Sequence, residues 1–152
     1  ERKHARDLGS VFKAFLVNGK PGHVPGDWAS LEQAVGWIRG AGGQAVIAHP
    51  ARYKLTRTKL LALIGTFREL GGVGLEVVCG SHGRDDALNF GRHAREQRLL
   101  ASAGSDFHGP QLTLSTHPWV ELGRLPALPE GCTAIWRDWP TAPAAVGRCA
   151  VA

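Results

Sequence analysis

Between Gln44 and Pro50 the chain reads Q-A-V-I-A-H-P. The nearly continuous apolar run from Gln44 to Ala48 suits a short strand covered on both faces, as in a parallel sheet. His49 and Pro50 follow at once, so the strand runs directly into a residue able to bind a proton or a metal. The same pattern recurs downstream. V-G-L-E-V-V, Val73 to Val78, reads as a second strand, and Leu99 to Ala103 as a third, which leads into G-S-D-F-H, Gly104 to His108. Helical spacing fills the gaps. Leu60, Leu61, Ile64 and Phe67 face inward on a helix from about Thr58 to Leu70, stopped by Gly71 and Gly72. Another helix runs from Asp85 to Gln97. Upstream, Leu31, Ala34, Val35 and Ile38 form the stripe of a helix ended by Gly42 and Gly43, with Ser30 as N-cap and Gln33 completing a capping box. Helix, strand, helix, strand, helix, strand is the signature of parallel βα units, in a barrel or an open doubly wound sheet.

The flanks differ from this centre. Val11, Phe12, Phe15 and Leu16 are spaced like one face of a helix within Leu8 to Asn18, and Gly19, Pro21, Gly22, Pro25 and Gly26 then force a loop. After Gly109 come six prolines and three of the five tryptophans. There, Trp119 to Leu122 reads as a short strand and the terminus from Pro140 onward as poorly ordered. The 152 residues, 43% of them hydrophobic, suffice for one domain with a core. The net charge of +5 favours anionic partners such as phosphates, nucleotides or nucleic acid. Three widely spaced cysteines form no C-x-x-C pair, which argues against structural zinc and for a reducing, cytoplasmic setting. No apolar run approaches the roughly 20 residues that cross a bilayer. The chain has no methionine and starts at Glu1, which predicts a piece of a longer protein.

In parallel α/β folds the site lies at the carboxyl ends of the strands. His49, Asp106 and His108 fall there. In an extended segment, side chains at i and i+2 point the same way, so Asp106 and His108 are expected to project together. A carboxylate with imidazoles suits Zn²⁺, Mn²⁺ or Fe²⁺. The competing readings are a capping aspartate and a core histidine. Glu76 is unusual inside an apolar strand, because a buried carboxylate needs a cation or hydrogen bonds. It reads as a support to a histidine or as a structural group. Arg52, three positions after His49, is the best candidate to hold phosphate oxygens, with Lys20, Lys54 and Arg57 as further ones. His4, His23, His82, His93 and His117 read as solvated. No P-loop, nucleophile elbow, dinucleotide fingerprint or aromatic-basic stripe is present.

The segments A-V-I-A-H-P-A-R-Y (Ala45 to Tyr53), G-L-E-V (Gly74 to Val77) and G-S-D-F-H-G-P (Gly104 to Pro110) resemble the later motifs of PHP-type (polymerase and histidinol phosphatase) metal-dependent phosphoesterases. Val11 to Pro25 and P-W-V-E-L-G-R (Pro118 to Arg124) are similar to the bacterial branch that hydrolyses nucleoside 3′,5′-bisphosphates and trims RNA 5′ ends as a 5′→3′ exoribonuclease. The resemblance implies the C-terminal part of a distorted (βα)₇ barrel. Residues 1–28 would be the remnant of a helical insertion, residues 29–139 barrel, and residues 140–152 a disordered tail. It further implies that His49, Asp106 and His108 are the last members of a ligand set for three divalent metals, Mn²⁺ first among them, each serving a different ion. The substrate would be a nucleotide bisphosphate or a short RNA 5′ end, its phosphate charge met by Arg52 with Lys20 or His23. The family's N-terminal H-x-H motif is absent here, so this chain alone is expected to be inactive. A different phosphatase of the family, such as one acting on histidinol phosphate, or a scaffold without metals are the alternatives.

Overall fold

A computed structural model describes residues 7–109 and 118–140. Its centre is a three-stranded parallel sheet in the order β1-β2-β3, with β1 at Val46–Ile47, β2 at Gly74–Cys79 and β3 at Leu100–Gly104. Helices α2 (Leu31–Gly40), α3 (Arg57–Glu69) and α4 (Arg84–Glu96) precede the three strands in turn. The expected alternation is therefore present, with element ends shifted by one or two residues for the helices. β1 is shorter than expected, although the Ala45 carbonyl still accepts from the N–H groups of Val73 and Gly74.

The helix starts follow from local chemistry. The Ser30 side chain accepts from the Gln33 N–H while the Gln33 side chain accepts from the Ser30 N–H, so the capping box forms as read. Thr56 caps α3 in the same manner through the Lys59 N–H. The Gly83 N–H at the start of α4 donates to Asp86 Oδ2. Leu75, Val77 and Val78 are fully buried, and they pack with Ile64 and Phe67 of α3 and with Ala87, Phe90 and Ala94 of α4. Successive residues of β2 are thus buried on both faces, which is why its sequence is apolar without alternation.

Three expectations need correction. The segment Leu8–Val11 is helical as α1, but it continues as a π-helical turn over Phe12–Leu16, and Phe12, Phe15 and Leu16 are exposed rather than packed. Ile38, assigned to the buried stripe of α2, is also exposed, and only Val35 of that stripe is fully buried. Periodicity marks the apolar face of a helix and not whether anything covers it. Lastly, Pro118–Val120 is a 3₁₀ turn and not a strand.

The later segment returns to the sheet in a way that its composition did not suggest. The Ala101 N–H donates to the Thr133 carbonyl at 2.8 Å and the Ile135 N–H to the Ala101 carbonyl at 2.9 Å, so one parallel bridge extends the sheet beyond β3. Trp139 Nε1 donates to Gln44 Oε1 at 2.6 Å, tying this segment to the start of β1. The expected disordered tail, apart from Pro140, lies outside the described residues.

Candidate metal and phosphate site

The sheet is parallel, so the turns that follow β1, β2 and β3 all emerge at one rim. His49 begins the first of these turns and Asp106 and His108 belong to the third. His49 adopts a left-handed backbone with φ of 32°, and Pro50 then opens a short 3₁₀ turn over Pro50–Arg52. A left-handed conformation is uncommon outside glycine and persists only where surroundings enforce it. Asp106 is left-handed too, with φ of 56°, which Asp tolerates better than most residues.

That geometry corrects the extended segment inferred for Asp106 and His108. The two side chains meet because the chain turns: His108 Nδ1 lies 2.6 Å from the Asp106 carbonyl oxygen and 3.8 Å from Asp106 Oδ1. If Nδ1–H donates to that carbonyl, the Nε2 lone pair faces outward. The turns after β1 and β3 are joined directly. Arg52 Nη1 donates to Asp106 Oδ2 at 3.1 Å, although the two residues stand 54 positions apart in sequence. The pair is solvent-accessible, with the arginine side chain 57% exposed, so its worth in stability is at most about 1 kcal/mol. What it shows is placement: the turn that carries His49 and Arg52 adjoins the turn that carries Asp106 and His108.

Glu76, half-buried near the middle of β2, reaches across to the first turn. Its Oε2 accepts a short hydrogen bond from the His49 backbone N–H. The other carboxylate oxygen leans on Gly104, at the end of β3. Tyr53 packs edge-on against His49, with ring centroids 6.2 Å apart. Burial, and secondarily the charge of Glu76, pushes the Tyr53 hydroxyl above its ordinary range. The Cys79 thiol at the end of β2 is raised for the same leading reason, with Glu76 and Asp106 adding to it and hydrogen bonds from Ser81 opposing it. Two carboxylates, Glu76 and the Arg52-paired Asp106, thus lie near the turns that follow the strands.

Could the residues hold a divalent metal? Among the described residues, His49 Nδ1 is buried without a hydrogen-bond partner, and the Asp106 carboxylate faces the exposed Arg52 and the His108 imidazole. The donors are the right chemistry. Among the described residues, however, no three His, Cys, Asp or Glu side chains converge enough to hold one ion together. These side chains therefore fit separate, incomplete ligand shells rather than a closed site of their own.

Among the described residues, no contact brings Lys20 or His23 to this rim: their backbone hydrogen bonds close their own turn, Lys20 to Val17 and His23 to Lys20. The histidines read as solvated divide. His82 is 1% exposed, with Nδ1 3.0 Å from the Val77 carbonyl and its ring stacked on Phe90 at 5.2 Å. His93 is likewise buried, 3.5 Å from Glu96. Both readings are overturned. Their burial depends on how α4 lies on β2, for which neighbouring residues in sequence carry no signal. His4 and His117 lie outside the described residues.

No family model matches the chain. It is 49% identical over 133 residues to a 3′,5′-nucleoside bisphosphate phosphatase of Chromobacterium violaceum, covering 88% of this chain and 45% of that protein. It is 40% identical over 135 residues to the 5′-3′ exoribonuclease Rnm of Escherichia coli, covering 89% of this chain and 44% of that protein. Among solved structures, an amidohydrolase from Chromobacterium violaceum superimposes with a TM-score of 0.73 at 50% identity, covering 86% of this chain and 43% of that one. A metal-dependent phosphoesterase from Bifidobacterium adolescentis shares the fold, with a TM-score of 0.58 at 22% identity and coverage of 85% and 41%. The chain spans less than half the length of these relatives. Over nearly nine tenths of its own length, the chain is thus similar to proteins named as a nucleoside bisphosphate phosphatase and an exoribonuclease.

Proposed function

We propose that this chain supplies part of a metal-dependent phosphoesterase site that acts on nucleotides, a nucleoside 3′,5′-bisphosphate or the 5′ end of a short RNA. One observation carries the reading: the Arg52–Asp106 contact, which joins the turn of His49 to the turn of Asp106 and His108 at a single rim. In this reading His49, Asp106 and His108 each contribute to holding divalent ions, with Mn²⁺ the first candidate and Fe²⁺ or Zn²⁺ the others. Such an ion lowers the pKa of bound water to about 7 and screens the charge of the phosphoryl oxygens.

The chain's own groups do the rest. His108, its Nδ1 turned to the Asp106 carbonyl, presents Nε2. Arg52 is long, exposed and planar, and can swing from Asp106 to a phosphate with two parallel N–H donors. Lys20 and His23, on a separate turn, would serve the second phosphate only if that turn closes over the rim. The names of the relatives support phosphatase and exoribonuclease chemistry, and the ligand chemistry of the rim supports metal dependence.

The test is made on a protein of the relatives' full length carrying this chain. Phosphate release from adenosine 3′,5′-bisphosphate with Mn²⁺ should exceed release from histidinol phosphate. Replacing His49, Asp106 or His108 by Ala should lower kcat/KM by about 100-fold or more, since each removes part of the charge stabilisation a metal provides. Replacing Arg52 by Ala should raise KM and leave the metal content unchanged. The 152-residue chain alone should give no turnover. Absence of stoichiometric metal in the full-length protein would refute the reading.

A further inference from the structure

Glu76 holds no substrate or metal in the geometry just described, yet it touches both functional turns. It extends from β2, the central strand, between two neighbours that each end in a proposed ligand. On one side Oε2 accepts the backbone N–H of His49, the residue whose left-handed φ of 32° sets the direction of the first turn. On the other side lies Gly104, two residues before Asp106, so close that a Cβ there would stand 2.9 Å from Glu76 Oε1. Gly104 therefore leaves room for the carboxylate, and the carboxylate fills the space where a side chain would lie.

We propose that Glu76 is a positioning residue: its carboxylate, seated against Gly104, locks the His49 turn in its left-handed conformation and so sets the first turn relative to the third. The anchor acts on the main chain of His49, which leaves both imidazole nitrogens available. A charged acceptor on a backbone N–H makes one of the stronger hydrogen bonds, and its half-buried position limits competition from water. The consequence for metal binding rests on the reading of His49 and Asp106 as ligands, whereas the anchoring itself does not.

Amide hydrogen exchange on the ¹⁵N-labelled 152-residue chain tests the anchor without any metal. The His49 amide should be protected, and Glu76→Ala should speed its exchange by about tenfold or more, the loss expected for a hydrogen bond to a charged group. The amides of Ile64 and Phe67 in α3 report whether the fold survives and should not change. Glu76→Gln keeps an acceptor oxygen of the same reach and should stay near the wild type. Gly104→Ala, which never touches His49, should speed exchange at His49 by displacing the carboxylate. Wild-type exchange at His49 in Glu76→Ala, or in both Glu76→Ala and Gly104→Ala, with α3 still protected, would overturn the proposal. In the full-length protein, Mn²⁺ titration should then show about 10- to 100-fold weaker binding for Glu76→Ala, with Glu76→Gln restoring most of it, as for residues that orient metal ligands. A wild type that binds no Mn²⁺ while His49 exchange follows the pattern above would sink the metal reading and leave the anchor standing.

Discussion

Replacing Gly80 by Ala should damage this protein far more than the loss of one hydrogen atom suggests. Gly80 ends the buried run of β2, and its N–H donates to the Gly104 carbonyl at 3.3 Å. A Cβ added here would lie 2.1 Å from the Ser105 carbonyl oxygen, 2.9 Å from Val120 Cγ2 and 3.0 Å from Val120 Cα. Two of those three obstacles are backbone, so no rotamer change relieves them. The ends of β2 and β3 must separate by on the order of 1 Å, which strains a core packed like a crystal. Overpacking of this kind costs about 3 kcal/mol when backbone has to move. For a chain of this size that corresponds to a fall in Tm of about 6–12 °C. Urea denaturation followed by tryptophan fluorescence would measure it. Gly36 in α2 and Gly65 in α3 are the controls, since a Cβ at either meets nothing within 4 Å. Alanine at those two positions should stabilise, by about 0.5–1 kcal/mol each, through helix propensity. The Gly80 variant should also loosen the Arg52–Asp106 contact, because Ser105 adjoins Asp106. A Gly80→Ala protein as stable as the wild type would show that the β2 and β3 ends are not packed as described.

Two further outcomes follow from local chemistry. Ser30→Ala removes one half of the capping box at the start of α2 and should lower stability by about 1 kcal/mol, read by urea titration, while Ser30→Asp should keep most of it. Burial, first of all, raises both the Cys79 thiol and the Tyr53 hydroxyl above their ordinary ranges. The folded state then binds more protons than the unfolded one above about pH 8.5 for the thiol and about pH 10 for the phenol, so stability falls as pH rises through those values. Denaturation midpoints measured from pH 7 to 11 should decline, and Cys79→Ala together with Tyr53→Phe should flatten the decline. An unchanged slope in that double variant would assign it to other groups.

Much of the fold was legible locally. The start of α2 came from side chains three residues apart, and the strands from short apolar runs, because these signals act over one or two turns of chain. The rim was legible as well, since in a parallel sheet the residue that follows each strand falls at the same edge. That reasoning puts His49, Asp106 and His108 on one side of the sheet. It misjudged the local shape of the Asp106 turn, and it misplaced His82 and His93, because burial of a loop or helix residue depends on what packs over it.

By itself, then, the amino-acid order determined the alternation of helix and strand, the capping of α2, the basic balance and the residues that close each strand. Tertiary structure alone decided that Arg52 meets Asp106 across 54 positions, that Glu76 reaches the His49 backbone rather than its imidazole, and that residues 133–135 return to the edge of β3. The division has one physical cause. Helix caps and strand runs are set by neighbours along the chain, whereas these contacts exist only once three parallel strands have paired in register and brought distant turns within a few ångströms of one another.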